Sequence, residues 1–136
     1  MAENIKLEIV TPDKSVVSED AQIVVAPGML GDFGVLIGHT PFMTTLRIGA
    51  VNYKDADGAE RAVFVSGGFA EALPDKVTIL AESAERRRDI VVERARSALE
   101  RARKRLAAKE AVDVDFSRAQ AALEKALHRL KMKETE

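Results

Sequence analysis

Val51-Asn52-Tyr53-Lys54-Asp55-Ala56-Asp57-Gly58, answered by Arg61-Ala62-Val63-Phe64-Val65-Ser66, reads as a β-hairpin. Both arms are rich in β-branched and aromatic residues, and the acidic turn between them ends in glycine. Outward from it the same pattern repeats. Ile5, Leu7 and Ile9 alternate with Lys6 and Glu8, the period of a half-buried strand, until Pro12-Asp13 interrupts it. Ala21 to Ala26 is another strand, closed by Pro27-Gly28. Val35-Leu36-Ile37 is short and stops at Gly38. Phe42 to Arg47 precedes Gly49, Gly67-Gly68 marks a bend or bulge, Phe69 to Leu73 continues, and Val77 to Ala81 follows Pro74-Asp75. Nine or ten short strands with turn signals every 8–12 residues predict an all-β sandwich or barrel. No helical window of useful length fits between these breakers.

The chain changes character near Ser83. All eight glycines and all four prolines lie before residue 75. Residues 1–82 carry six Lys/Arg against twelve Asp/Glu, whereas residues 83–136 carry fifteen against ten. In the second part Val91, Ala95, Ala98, Ala102 and Leu106 form a stripe at helical spacing, with Asp89 placed to cap a helix starting at Ile90. A second stripe, Phe116, Ala119, Leu123, Ala126 and Leu130, follows Asp113 or Asp115 as cap. Two amphipathic helices with a short polar connection predict an antiparallel hairpin. Its alanine seam buries little area per contact, so such a hairpin is only marginally held and can open. The expected domains are therefore 1–83 and 84–136.

Composition excludes several functions. With 136 residues, no cysteine and two distant histidines, disulfide and thiolate-metal chemistry are absent, and no metal site is expected. No tryptophan and one tyrosine leave little for stacking on bases. Arg86-Arg87-Arg88 and the basic run 101–105 are interleaved with Glu85, Asp89, Glu93 and Glu100, so a salt-bridged solvent face is expected and no nucleic-acid partner. No apolar run approaches the ~18 residues of a membrane helix. Met1-Ala2-Glu3-Asn4 opens neither a signal nor a transit peptide, which predicts a cytosol-like compartment.

Gly31-Asp32-Phe33-Gly34-Val35-Leu36-Ile37-Gly38-His39-Thr40-Pro41, with Gly28 upstream, is the densest glycine stretch. It reads either as ordinary tight turns or as a contact tip carried on a rigid scaffold. It is no phosphate loop, because no Gly-Lys-Ser/Thr follows and a β run comes next. Ser66-Gly67-Gly68 has no nearby histidine and acid to make a nucleophile elbow. Asp55 and Asp57 lack the later ligands of a calcium loop and read as turn residues. No catalytic residue is expected.

Four stretches carry a family resemblance: Lys6 to Pro12, Gly31 to Pro41 with its Gly-His-x-Pro, Ser66-Gly67-Gly68-Phe69-Ala70-Glu71, and Val77 to Ala81. Together they resemble the epsilon subunits of bacterial F-type ATP synthases, called delta in mitochondria, over essentially the whole chain. The resemblance implies an α+β fold, a ten-stranded β-sandwich followed by an antiparallel two-helix hairpin. It implies a non-catalytic rotor subunit beside the gamma subunit on the ring of c subunits. Gly31, Asp32 and Phe33 match the loop that meets the ring, and His39 lies in the segment associated with gamma. The hairpin is implied to extend towards the alpha/beta catalytic head and inhibit ATP hydrolysis. The resemblance places such a subunit at the cytoplasmic face of the bacterial inner membrane, attached only through the complex. Some members bind ATP as a regulatory ligand, and the matching positions here are Asp89, Arg94, Lys125 and Arg129. The family's acid position is Val91 in this chain and lysine replaces an arginine fork, so ATP is expected to bind weakly or not at all, and no cofactor is expected. Two other classes stay open on the residues alone: a stand-alone helical adaptor on a β scaffold, and a small-molecule-binding β-domain.

Overall fold

The computed structural model describes residues 3–108 and 115–136, in two compact units, Met1–Arg86 and Arg87–Glu136. The first unit holds seven strands: β1 Ile5–Val10, β2 Ser15–Gly28, β3 Gly31–Val35, β4 Phe42–Asp55, β5 Glu60–Ala72, β6 Lys76–Ala81 and β7 Ala84–Arg86. The second holds a 3-10 turn at Arg87–Asp89 and helices α1 Val92–Ala107 and α2 Phe116–Glu134.

The strand pairing closes on itself. β1 runs parallel to β6, β6 antiparallel to β5, β5 to β4, β4 to β2, and β2 back to β1; β3 extends β2. The result is a flattened, barrel-like sandwich whose inner positions alternate along each strand. Ile5, Leu7 and Ile9 of β1, Val24 of β2, Val51 of β4, Val63 and Val65 of β5, and Val77 and Ile79 of β6 are fully buried in one core. Each such side chain contributes about 1.5–3 kcal/mol on burial.

Seven strands replace the ten expected because the glycine and proline signals bend strands without ending them. β4 runs through Gly49, and β5 runs through Gly67 and Gly68, both at positive φ. β5 keeps β4 on one side throughout. On its other side it pairs first with β7 through Val63–Val65, then with β6 through Gly68–Ala72. The two glycines sit where that partner changes. β7 also carries the strand structure past residue 83, and the division between the compact units falls at Arg86/Arg87.

The predicted hairpin joins β4 to β5. The Asp55 carboxylate accepts the backbone N–H of Ala59 at 2.9 Å and of Asp57 at 3.0 Å, and Arg61 Nε at 3.1 Å. The Ala59 N–H comes first among the contacts that hold its pKa below the usual carboxylate value. The acid thus serves as a turn residue.

A polar clasp ties β7 to β2 and β4. Tyr53 Oη donates to Glu19 Oε1. Arg86 Nε donates to Val16 O at 3.2 Å, and its Nη1 lies 3.4 Å from Tyr53 Oη and 3.8 Å from Glu19 Oε1. Burial of the phenol, then the Glu19 carboxylate, push the Tyr53 pKa up to about 12, against a smaller opposing pull from Arg86. The folded protein thus holds the phenol proton more tightly than the unfolded chain. That contribution is complete below pH ~10 and is lost as pH rises through about 12. Alkaline unfolding curves of Tyr53→Phe are expected to lose their slope in this window, and an unchanged slope would assign it to another group.

In the second unit α1 packs along α2, and α2 reaches back to the 3-10 turn, as an antiparallel hairpin does. Ala95, Leu99 and Ala102 of α1 and Ala119, Ala126 and Met132 of α2 are buried, so the alanine stripes lie inside. Asp115 caps α2 by accepting Arg118 N–H at 3.0 Å; Asp113, the other candidate, lies outside the described residues. The start of α1 departs from expectation. Its N-cap is Val91, extended and without a side-chain bond, and Asp89 ends the 3-10 turn. Ile90 is buried and donates its N–H to Arg87 O at 3.2 Å, so the chain seats Ile90 before the helix begins.

Candidate interaction surface

The glycine-rich stretch forms a projecting β2–β3 hairpin. Gly28 pairs with Gly31, and Met29-Leu30 make the two-residue turn. Neither turn residue has positive φ, and the reversal is taken by Gly31 at φ 138°. A Cβ on Gly28 would lie 2.6 Å from the Gly31 carbonyl oxygen, so the strands can close only if Gly28 is glycine. Gly31 has open space around it but a backbone that other residues resist. Substitution there changes the turn as well as the surface.

The three residues matched to ring contact are not equivalent. Gly31 has no side chain. The Asp32 carboxylate is paired with Arg47 of β4. Phe33 is half-buried and stands edge-on to Phe42, ring centroids 5.0 Å apart. His39 joins the same cluster: its ring is 5.0 Å from Phe42, and Nδ1 lies 2.6 Å from Thr40 O. Gly38, at φ 82°, donates its N–H to Pro74 O at 2.5 Å, fixing the loop that carries His39. Phe33 and His39, expected at two contacts, therefore share one aromatic support.

Sequence reading passed over the two apolar residues at the apex of this hairpin. Leu30 is 103% exposed and Met29 58%. The signal was present: an apolar pair fills a two-residue turn, where asparagine and glycine are favoured. A second apolar patch crosses the outer sheet face. Register places Leu80 beside Phe69 and Val10, with Thr45 beyond Phe69. Phe69 is 54% exposed and Leu80 53%. Beside them is a groove of about 380 Å³ lined by Val10, Thr11, Pro12, Gly68, Phe69, Leu80, Ala81 and Glu82. Parity alone sets Leu80 outward, since Val77, Ile79 and Ala81 point in.

The four positions matched to ATP binding lie in the helical unit. Asp89 is exposed in the 3-10 turn, Arg94 is exposed on α1, and Lys125 and Arg129 are half-buried one turn apart on α2. Arg96 pairs with Glu93 at 3.1 Å and Arg103 with Glu100 at 3.4 Å, so part of the basic face is neutralised along α1. Among the described residues no group of three or more His, Cys, Asp or Glu is placed to hold a metal ion. No helix among them is long and apolar enough to cross a membrane.

Two family models match the chain. One, described as ATP synthase, Delta/Epsilon chain, beta-sandwich domain, covers residues 4–87; the other, described as ATP synthase, Delta/Epsilon chain, long alpha-helix domain, covers residues 88–134. The ATP synthase epsilon chain of Desulfatibacillum aliphaticivorans is 65% identical over 114 residues, 83% of this chain and 81% of that one. The ATP synthase epsilon chain of Desulforapulum autotrophicum is 64% identical over 115 residues, 85% and 84% of the two chains. The fold resembles a chain in the Euglena gracilis mitochondrial ATP synthase structure of OSCP, F1 and c-ring. The TM-score is 0.80 at 24% identity, over 98% of this chain and 82% of that chain.

Proposed function

This chain belongs to the ATP synthase delta/epsilon chain family, and on that premise we propose that it seats the central stalk on the ring of c subunits and passes rotation to the catalytic head. It is a non-catalytic subunit of the complex. The observation that carries this role is the pairing of a rigid sandwich with two separate exposed apolar features: the Met29-Leu30 tip and the Phe69–Leu80 face. A rotor link needs two such attachments on one stiff body, since a single flexible contact transmits no torque.

The tip meets the ring, and the Phe69–Leu80 face with its groove receives gamma. His39 acts beside that face by bracing Phe42 at the start of β4. Apolar area of this kind, flanked by polar residues, marks a protein-binding surface. The helical unit restrains ATP hydrolysis by reaching the alpha and beta subunits, with basic residues of its helices meeting acidic surface there. The chain reaches the membrane only through the complex, on the cytoplasmic face of the bacterial inner membrane. ATP binds the helical unit weakly at most, because Val91 occupies the acid position and Lys125 offers a point charge in place of a fork. Calorimetric titration of the purified chain with ATP checks this, and a sub-millimolar affinity would overturn it.

Co-purification tests the main reading. Tagged full-length chain is expected to retain gamma and the c ring from solubilised membranes. Phe69→Ser with Leu80→Ser is expected to lower gamma retention by roughly tenfold, about 1.4 kcal/mol, with the melting temperature kept. Retention of neither partner by the parent chain would favour the stand-alone adaptor.

A further inference from the structure

β7 is the last strand before the helical unit, and it is only three residues long. It lies off the closed path of strands and joins the sheet through β5. All three residues are half-buried, so β7 puts no side chain fully into the core. A strand this short is marginal by itself and frays readily. Polar contacts at both ends hold it. At its start, Ser66 donates its N–H to Ser83 O at 3.0 Å, and the two hydroxyls stand 2.5 Å apart. At its end, Arg86 turns its side chain back over the sandwich, to Val16 O and the Glu19 carboxylate of β2 and to Tyr53 Oη of β4. Tyr53 in turn donates to Glu19, so the carboxylate facing the guanidinium is itself held. The Arg86 side chain is 20% exposed and that of Glu19 36%, whereas both partners are more than half exposed in the pairs along α1. Solvent and salt therefore screen the clasp less than they screen the helix pairs. Nε meets a carbonyl while Nη1 faces the phenol and the carboxylate, a division of donors that a lysine ammonium cannot copy.

The next residue, Arg87, opens the second unit. The clasp thus sits where free chain begins if β7 stays in place. Release of β7 adds roughly 10 Å of extended chain ahead of the helices. A longer tether lowers the effective concentration of what it carries at a fixed target. Resting on the reading that the helical unit restrains hydrolysis, we propose that Arg86 is a positioning residue for that restraint. Through Val16, Tyr53 and Glu19 it keeps β7 on the sandwich, so the tether of the helical unit starts at Arg87 and carries no slack. Arg86 acts through the chain that follows it, with no contact of its own to the catalytic head.

The test uses full-length variants in the assembled enzyme. It reads ATP hydrolysis, retention of gamma and the ring, and deuterium uptake by peptides covering residues 83–90 and 5–10. Arg86→Ala is expected to speed exchange over 83–90 roughly fivefold or more while leaving 5–10 unchanged. Hydrolysis is expected to rise about twofold, with both partners retained. Arg86→Lys is expected to recover roughly half of the lost restraint or less. Tyr53→Phe is expected to act more weakly than Arg86→Ala, since Arg86 and Glu19 still face each other. Ala102→Pro, in the buried seam of α1, breaks that helix and sets the ceiling. It is expected to raise hydrolysis alone, and Arg86→Ala added to it is expected to raise it no further. If Arg86→Ala has its full effect on top of Ala102→Pro, or lowers retention of gamma or the ring, it acts through the sandwich and the inference falls. Unchanged exchange over 83–90, or faster exchange with unchanged hydrolysis, overturns it as well. In each of these cases a rise from Ala102→Pro alone leaves the restraint reading standing. If Ala102→Pro leaves hydrolysis unchanged, that reading fails and the inference goes with it.

Discussion

Gly68→Ala is expected to destroy the sandwich. Gly68 sits at φ 116°, a conformation other residues rarely adopt. A Cβ there would overlap the Leu80 carbonyl oxygen and lie 2.9 Å from Ala81 Cα. These are backbone atoms of the neighbouring strand, so no side-chain rotation relieves the clash. Gly68 pairs with Ala81, and relief means prising β6 from β5 at that point. Ala70, Ala72, Val77 and Ile79, all in the core, hang on the same ladder. The cost is expected to exceed about 4 kcal/mol, large against the ~5–15 kcal/mol that holds a typical domain. Urea unfolding of the purified chain measures it. Gly58→Ala is the control: its φ is 86°, but only Gln22 Nε2, at 3.8 Å, lies near the added carbon. That change is expected to cost about 1 kcal/mol of backbone strain. If Gly68→Ala costs no more than Gly58→Ala, β6 yields freely and the argument from backbone contact is wrong.

Ending the chain after Arg86 is expected to raise ATP hydrolysis by the assembled enzyme roughly threefold or more, about 0.7 kcal/mol, while gamma and ring attachment persist. The cut follows the division between compact units. It keeps β7, the pairing of Val63–Val65 with Arg86–Ala84, and the Arg86 clasp to Val16, Tyr53 and Glu19. The closed ring of strands and its core also remain whole. What is removed is a helical unit whose buried seam is largely alanine, with Ile90, Leu99 and Met132 as large buried side chains. Small seam residues gain little on burial, so little free energy separates packed helices from opened ones. Full retention of the truncated chain with unchanged hydrolysis would assign the restraint to another subunit. Loss of retention would place the attachment on the helices and not on the sandwich.

Much of the fold was legible because its signals are local. The alternation Ile5, Leu7, Ile9 declared an inner face, and the Asp55–Gly58 turn joined two strands across a few residues. Asp115 capped α2 from three residues away. Legibility failed where a local signal meets a distant demand. Gly49 read as a strand end and the Gly67-Gly68 pair as a bend or bulge between two strands, yet partners on both sides carry β4 and β5 through them as single strands. Asp89 read as a cap, yet burial of Ile90 delayed α1. At the tip, Asp32 was matched to ring contact through the family resemblance. Its commitment to Arg47 appears only when β4 is laid against β2 and β3.

By itself, then, the sequence determined the division into a β unit and a helical unit, the inner face of each strand, the main turns and the family resemblance. Each follows from neighbours in the chain: a period of two or 3.6, a proline, a glycine, a capping acid. Tertiary structure alone decided that β1 closes the sheet against both β2 and β6, that Gly68 has no room for a carbon, and which tip residues are free. Those facts depend on atoms brought together from 12 to 70 residues apart, such as Gly68 against Leu80, Asp32 against Arg47 and Val16 against Arg86. Contacts at that separation leave no period or spacing in the chain, because the packing of the whole sheet selects them.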